Sequence, residues 1–281
     1  MGYLRGLILA ASALLVAAST RHETPATLHY APNGNFDVDG RYAPAGFGFN
    51  LSDVRSVREL DLLPDSVAGL VWVGTCNGAD AAFVSEVSKF LGHPKVFGFY
   101  LMDDPDPAWW RGRQCQADHL KAEADWIHAH APGAKTFIIL MNLGSSRAPS
   151  FAGSYNPENS HVDLFGLSPY PCRTELERCD ADMIDRFVDA ALVAGVPAGR
   201  IVPVYQAFGG GGWVDDGGGQ YALPSDTNET EILARWTTLI GKPAFDYAYS
   251  WGSQRGDRAL ENSAGLRGVL ARHNGAAPVP P

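Results

Sequence analysis

The motifs that mark the commonest uses of an α/β chain are missing here. No Gly-x-Gly-x-x-Gly turn follows the first strand-like segment, and neither a Walker sequence nor a Gly-x-Ser-x-Gly elbow occurs, which removes dinucleotide, phosphate-loop and esterase readings. Positive charge is scarce: 22 Lys and Arg stand against 31 Asp and Glu, for a formal net charge of −9, and the basic residues are scattered. A surface that neutralises phosphates needs them clustered, so nucleic acid is excluded as a partner. The eight histidines lack metal-ligand spacing, and His128 and His130 lie two apart on different faces of a helix-like segment, so no metal or other cofactor is expected. After the N-terminal stretch, no apolar run approaches the roughly 20 residues that a membrane span needs.

That N-terminal stretch has a single Arg5, an apolar core from Leu7 to Ala18, and small residues at Ala17, Ala18 and Ser19. This is the pattern of a secretory signal peptide over residues 1–20, so the mature protein is expected outside the cell or in a periplasm, with no stable membrane insertion. No cysteine stands at the cleavage point to take a lipid. The four cysteines, even in number, agree with an oxidising compartment. Cys172 and Cys179 are seven residues apart in one loop and are expected to pair, leaving Cys76 for Cys115.

The remainder, 46% apolar over the whole chain, can build one large core. Residues 21–45, rich in Pro, Gly, Asn and Asp, read as an irregular arm, 46–275 as the domain, and 276–281 as a disordered tail. Strand-like segments recur at 46–51, 67–74, 95–102, 135–143, 162–170, 200–208 and 245–251. Helix-like segments alternate with them, at 80–91, 116–131, 180–195, 227–241 and 264–274, and a Ser56/Glu59 capping box starts a short one that runs through Leu62. In the segment 180–195, Ile184, Val188, Ala191 and Leu192 form the expected buried face. Such alternation means a parallel sheet covered by helices, and without the open-sheet motifs the expected fold is a (β/α)8 TIM barrel. Seven strands are evident; the eighth lies in the N-terminal arm, or the barrel is irregular.

In such a barrel the site forms at the C-terminal strand ends. Those ends carry Asn50 and Asp53, Asp103 and Asp104, Asn142, Tyr170, Gln206 and Trp251. Amides, carboxylates and aromatics together suit a sugar, whose hydroxyls need donors and acceptors and whose ring faces stack on aromatic rings. The sharpest feature is the apolar run from Phe97, which stops at Asp103 and Asp104 and then at prolines. Strict alternation puts Gly98, Tyr100, Met102 and Asp104 toward the barrel interior and Asp103 behind them.

The run Gly98-Phe99-Tyr100-Leu101-Met102-Asp103-Asp104-Pro105 resembles the TIM-barrel glycoside hydrolases, in which one strand reads Gly-aromatic-aromatic-Leu-x-Asp-Glu-Pro and its final acid is the general acid/base. Here Asp104 replaces the Glu. The segments 165–171, 204–210 and 247–252 look like strand ends of the same barrels, and the resemblance spans about Gly46 to Asn274. It implies a secreted hydrolase acting on a poly- or oligosaccharide, with Asp104 as acid/base and Asp103 as its electrostatic partner. Asn50, Asp53, Asn142, Tyr170, Gln206 and Trp251 are then expected to bind substrate. Some barrel glycosidases acting on N-acetylated sugars use adjacent acids, one of which polarises the substrate's acetamide, and the pair resembles that arrangement. No acid ends the last strand, where such barrels usually hold a nucleophile. Asp53, Asp215, Asp216 and Asp257 are the candidate partners, Asp163 and Asp246 being at strand starts. The missing acid also fits a carbohydrate-binding barrel without catalysis. Trp213, in the glycine-rich loop 209–220, reads as part of a mobile lid, and one of Trp109 and Trp110 as an exposed stacking surface.

Overall fold

The computed structural model describes residues 27–110, 114–214 and 219–276. The expected signal peptide, Asp215, Asp216 and the last five residues lie outside them. Eight parallel strands close into one barrel in chain order: β1 (Leu28–Tyr30), β2 (Leu51–Val54), β3 (Ala68–Trp72), β4 (Val96–Met102), β5 (Lys135–Ile139), β6 (Leu164–Leu167), β7 (Ile201–Gln206) and β8 (Phe245–Tyr249). The helices are α1 (Val57–Leu62), α2 (Ala81–Val87), α3 (Ala117–His130), α4 (Pro157–Ser160), α5 (Asp182–Val193), α6 (Asp226–Ile240) and α7 (Ala264–His273). This is the (β/α)8 barrel that the alternation predicts.

The eighth strand lies in the N-terminal arm. β1 pairs along its whole length with β8, Leu28 to Phe245, His29 to Asp246 and Tyr30 to Tyr247, but meets β2 only at Tyr30 and Leu51. The strand expected at 46–51 is displaced: Ala43–Phe47 forms a 3-10 turn capped by Gly48 at φ +79°, and the strand starts at Leu51. A side chain at Gly48 would strain that left-handed backbone and press on Asn274.

Two cores result. Tyr30, Leu51, Leu70, Tyr100, Phe137 and Tyr247 help to fill the bore, while a larger core lies between sheet and helices. Local signals set the helices. Ser56 Oγ accepts from the Glu59 N–H at 3.3 Å and Glu59 Oε2 accepts from the Ser56 N–H at 3.1 Å, the reciprocal cap that the sequence predicts. In α5, Ile184, Val188 and Ala191 are buried, whereas Leu192 is 44% exposed, because a step of one residue turns it about 100° from Ala191. The cap of α6 is Ser225, which accepts from Asn228 N–H, and Glu229 in its first turn is fully buried.

Both expected disulfides are present, Cys76–Cys115 and Cys172–Cys179, with Cα separations of 5.6 and 4.2 Å. Among the described residues no helix is long and apolar enough to cross a membrane.

Candidate active site

Strict alternation along β4 fails twice. The register against β3 slips between Gly69 and Leu70, opposite Phe97, and the register against β5 slips between Tyr100 and Met102. Each slip turns the following side chains to the other face. Phe97 therefore packs into the bore against Phe245, with ring centroids 5.8 Å apart, and Met102 packs against the outer core. Gly98 is needed for a different reason from interior crowding: a Cβ there would lie 2.2 Å from the Lys135 carbonyl oxygen of β5.

The slip at Leu101 decides how the acids are presented. Tyr100, in the bore, donates its hydroxyl to Asp103 Oδ1 at 2.9 Å, so Asp103 shares the interior face and does not stand behind it as alternation predicts. Asp104 follows with φ +44° and is half-buried. Both carboxylates line one open cleft of about 1570 Å³ at the C-terminal end of the barrel.

Aromatic rings line the cleft beside the acids. Tyr170 lies edge-on to Phe208 and Tyr221, at 4.9 and 5.5 Å, and is near-parallel to Tyr249 at 6.1 Å. Trp213 joins these rings through Phe208, and the Arg255 guanidinium lies 4.2 Å over its ring. Burial, followed by the charges of Asp103 and its neighbours, pushes the Tyr100 phenol well above its ordinary pKa. Burial does the same at Tyr170, where Tyr247 and Tyr249 add to it. Both remain neutral, so Tyr100 keeps its proton to give to Asp103 at any working pH.

The other expected site residues divide into those that face the cleft and those that hold it. Tyr170 and Asn142 line it. Asn142 Oδ1 accepts from the Gly144 and Ser150 N–H groups, at 3.0 and 2.9 Å, and shapes the loop after β5. Gln206 is fully buried; its amide accepts from Cys172 N–H and donates to the carbonyls of Cys172, Phe208 and Ala222, tying the Cys172–Cys179 loop to β7. It therefore holds the wall and does not reach substrate. Trp251 packs into the outer core against Phe47 and Phe49 and is only 6% exposed, so it offers no stacking face. Asn50 is at the opposite end of the barrel: because β2 begins at Leu51, Asn50 precedes the strand, and its Oδ1 accepts from His29 N–H at 2.7 Å.

Among the candidate partner acids, Asp53 is the last residue but one of β2, on the Leu51 face, and its side chain is only 11% exposed. Burial raises its pKa, against the opposing pull of Arg55 at 4.0 Å and hydrogen bonds from the Asn33 N–H and the Tyr30 hydroxyl. Asp257 is spent on a loop, where Oδ1 accepts from Ser253 Oγ and the N–H groups of Gln254 and Arg255. Those bonds lower its pKa despite burial. Glu175, Arg173 and Tyr221 also line the cleft, and no sequence motif singles them out. Their only signal is position: Arg173 and Glu175 lie inside the seven-residue disulfide loop, which has no length to hide them. Trp109 and Trp110 are both exposed, at 61% and 59%.

A closed parallel eight-stranded barrel thus carries two acids just past the end of β4, beside a cleft lined with aromatic rings: the class of fold is a TIM barrel. Among solved structures, the chain is similar to a family 18 chitinase from the chitin utilization locus of Flavobacterium johnsoniae (8% identity, TM-score 0.57, covering 89% of this chain and 93% of that one). It is also similar to the second catalytic domain of the group II chitinase of Ostrinia furnacalis in complex with penta-N-acetylchitooctaose (13%, 0.56, 91% and 98%). A third likeness is to a chitinase-like agglutinin from Robinia pseudoacacia (11%, 0.54, 87% and 98%). At these identities the likeness is one of fold. No protein-family model matches the sequence, and no curated protein does.

Proposed function

We propose that this protein is a secreted glycoside hydrolase that cleaves an oligosaccharide bearing N-acetyl groups. The observation that carries the reading is the pair Asp103 and Asp104 lining one cleft together with aromatic rings, with Asp103 held by Tyr100. Asp104 protonates the leaving glycosidic oxygen as the bond to the anomeric carbon breaks. The substrate's own acetamide oxygen attacks that carbon, and Asp103 accepts the acetamide N–H and supports the developing positive charge. Water then opens the ring intermediate while Asp104 takes back a proton. This route needs no second carboxylate across the bond, which agrees with the burial of Asp53 and the engagement of Asp257. Tyr170, Tyr221 and Trp213 supply stacking faces for sugar rings. The fold likeness to chitinases supports the substrate class.

A specific observation favours a second reading. Asp104 is one methylene shorter than the Glu that the strand pattern calls for, and a structural neighbour is a chitinase-like agglutinin. The alternative is a carbohydrate-binding barrel that holds its ligand without cleaving it. Incubation with N-acetylated oligosaccharides separates the two. Product release that is lost in Asp104→Asn supports the hydrolase; saturable binding without release supports the binding protein; neither binding nor release rejects both.

A further inference from the structure

Away from the cleft, on the outside of the sheet, three donors from three separate elements converge. His29 on β1 and Asp246 on β8 are register partners and point outward, opposite to Tyr30 and Tyr247, whose rings fill the bore. His273, the last residue of α7, reaches down to them. His29 Nδ1 lies 3.0 Å from both Asp246 oxygens, and His273 Nε2 lies 3.0 Å from Asp246 Oδ2. One donor atom from each residue falls within 4.8 Å of the other two.

We propose that His29, Asp246 and His273 form a binding site for a divalent transition-metal ion of the zinc type. Two imidazoles and a carboxylate are the donor set such an ion prefers. Zinc takes imidazole nitrogen and carboxylate oxygen at about 2.0–2.2 Å in a tetrahedral arrangement, which sets neighbouring donors about 3.3 Å apart. The two nitrogen–oxygen separations are already close to that, and only the two imidazoles must approach each other. The ion replaces the protons now shared with Asp246, and each imidazole then carries its proton on the other ring nitrogen. Asp246 is 3% exposed at its side chain, His29 12% and His273 22%, so the fourth position opens toward solvent beside His273.

The surroundings fit this assignment. Asp246 lies at the centre of the group, with both imidazoles at its carboxylate and its side chain almost wholly enclosed. The Tyr205 hydroxyl lies 3.3 Å from Asp246 Oδ2 and 3.4 Å from His273 Nε2. That hydroxyl supports the carboxylate from a second layer, and the Tyr205 ring packs edge-on to His273 with centroids 5.6 Å apart. The ion's role is mechanical. It joins the shortest strand, the last strand and the last helix where the barrel closes, at the seam where β1 has only three residues.

The test is to strip tag-free protein with a chelator, titrate it with Zn²⁺ by calorimetry, and titrate it with Co²⁺ by visible absorption. One equivalent should bind, Co²⁺ should show the intense ligand-field bands of a four-coordinate site, and Zn²⁺ should raise Tm by roughly 5 °C at 100-fold excess over Kd. His273→Ala, at a helix end, should weaken binding by about 100-fold or more and abolish the Tm rise. His29→Gln should do the same, while His128→Ala and His161→Ala should leave both unchanged. All four disulfide-bonded cysteines are unable to compete. Absence of one-equivalent binding overturns the proposal and leaves a hydrogen-bonded staple. Binding that persists unchanged in folded His273→Ala overturns it equally, by locating the metal elsewhere.

Discussion

The floor and the mouth of the barrel are lined by the same ring, with and without a hydroxyl. At the floor, Phe245 meets Phe97 and Phe137 edge to face at 5.8 and 4.9 Å. One layer higher, Tyr30 and Tyr247 meet in the same way at 4.7 Å, and Tyr100 lies 4.7 Å from Phe137. Along β8 the bore residues change from Phe245 to Tyr247 to Tyr249 as the strand rises. The rings supply equal packing at both ends. The hydroxyl matters only where a carboxylate waits for it, as at Asp103, so the floor is a plug and the mouth is a plug that also orients charge.

Removing a ring should therefore have a much larger effect on stability than removing a hydroxyl. Phe137→Ala leaves a cavity among three aromatic neighbours, Tyr100, Phe245 and Tyr247, and should lose about 3–5 kcal/mol in denaturant unfolding. A loss below about 1 kcal/mol would show that the floor is not packed as described. The layer between sheet and helices offers a contrasting case, because Glu229 is buried there with neither carboxylate oxygen hydrogen-bonded. Burial raises its pKa from 4.5 to about 8, so the folded state binds a proton that the unfolded state releases. Stability should fall as pH rises from about 4.5 to about 8, by on the order of 5 kcal/mol. Glu123, pushed up to about 7 by burial against its hydrogen bonds from Asn77 N–H and Thr75 Oγ1, contributes with the same sign. Glu229→Gln should flatten most of that slope, and an unchanged slope would remove Glu229 as its source. The smallest effect on stability should come from Tyr100→Phe, which makes the mouth resemble the floor: about 1 kcal/mol. Its effect on turnover should exceed its effect on Tm, since the Asp103 carboxylate loses its orienting donor. Equal loss of both would mean that the hydroxyl is only structural.

The barrel was legible in the sequence because alternation of strands and helices, capping boxes and glycine stops are local signals that the fold leaves intact. The eighth strand was legible only as one of two alternatives, a strand somewhere in the N-terminal arm, since three residues, Leu28 to Tyr30, carry too short a pattern to be located without their partner β8. The position of Asp103 and Asp104 was legible from the abrupt end of an apolar run. Their facing was not, because a register slip depends on the neighbouring strand and leaves no mark on β4 itself. Gln206 and Trp251 show the same limit: a polar or aromatic residue at a strand end can serve a neighbouring loop or the outer core as well as a ligand. Asn50 was misplaced by one cause, the left-handed turn at Gly48, which delays β2.

The central claim is that the paired acids at the end of β4 perform chemistry on a sugar. Its most direct test is release of product from N-acetylated oligosaccharides by the purified protein, run beside Asp104→Asn, with Tm measured for both. Release by the wild type and a loss of about 10²–10⁴-fold in a variant of unchanged Tm is the expected result. Release that is undiminished in the variant would contradict the account.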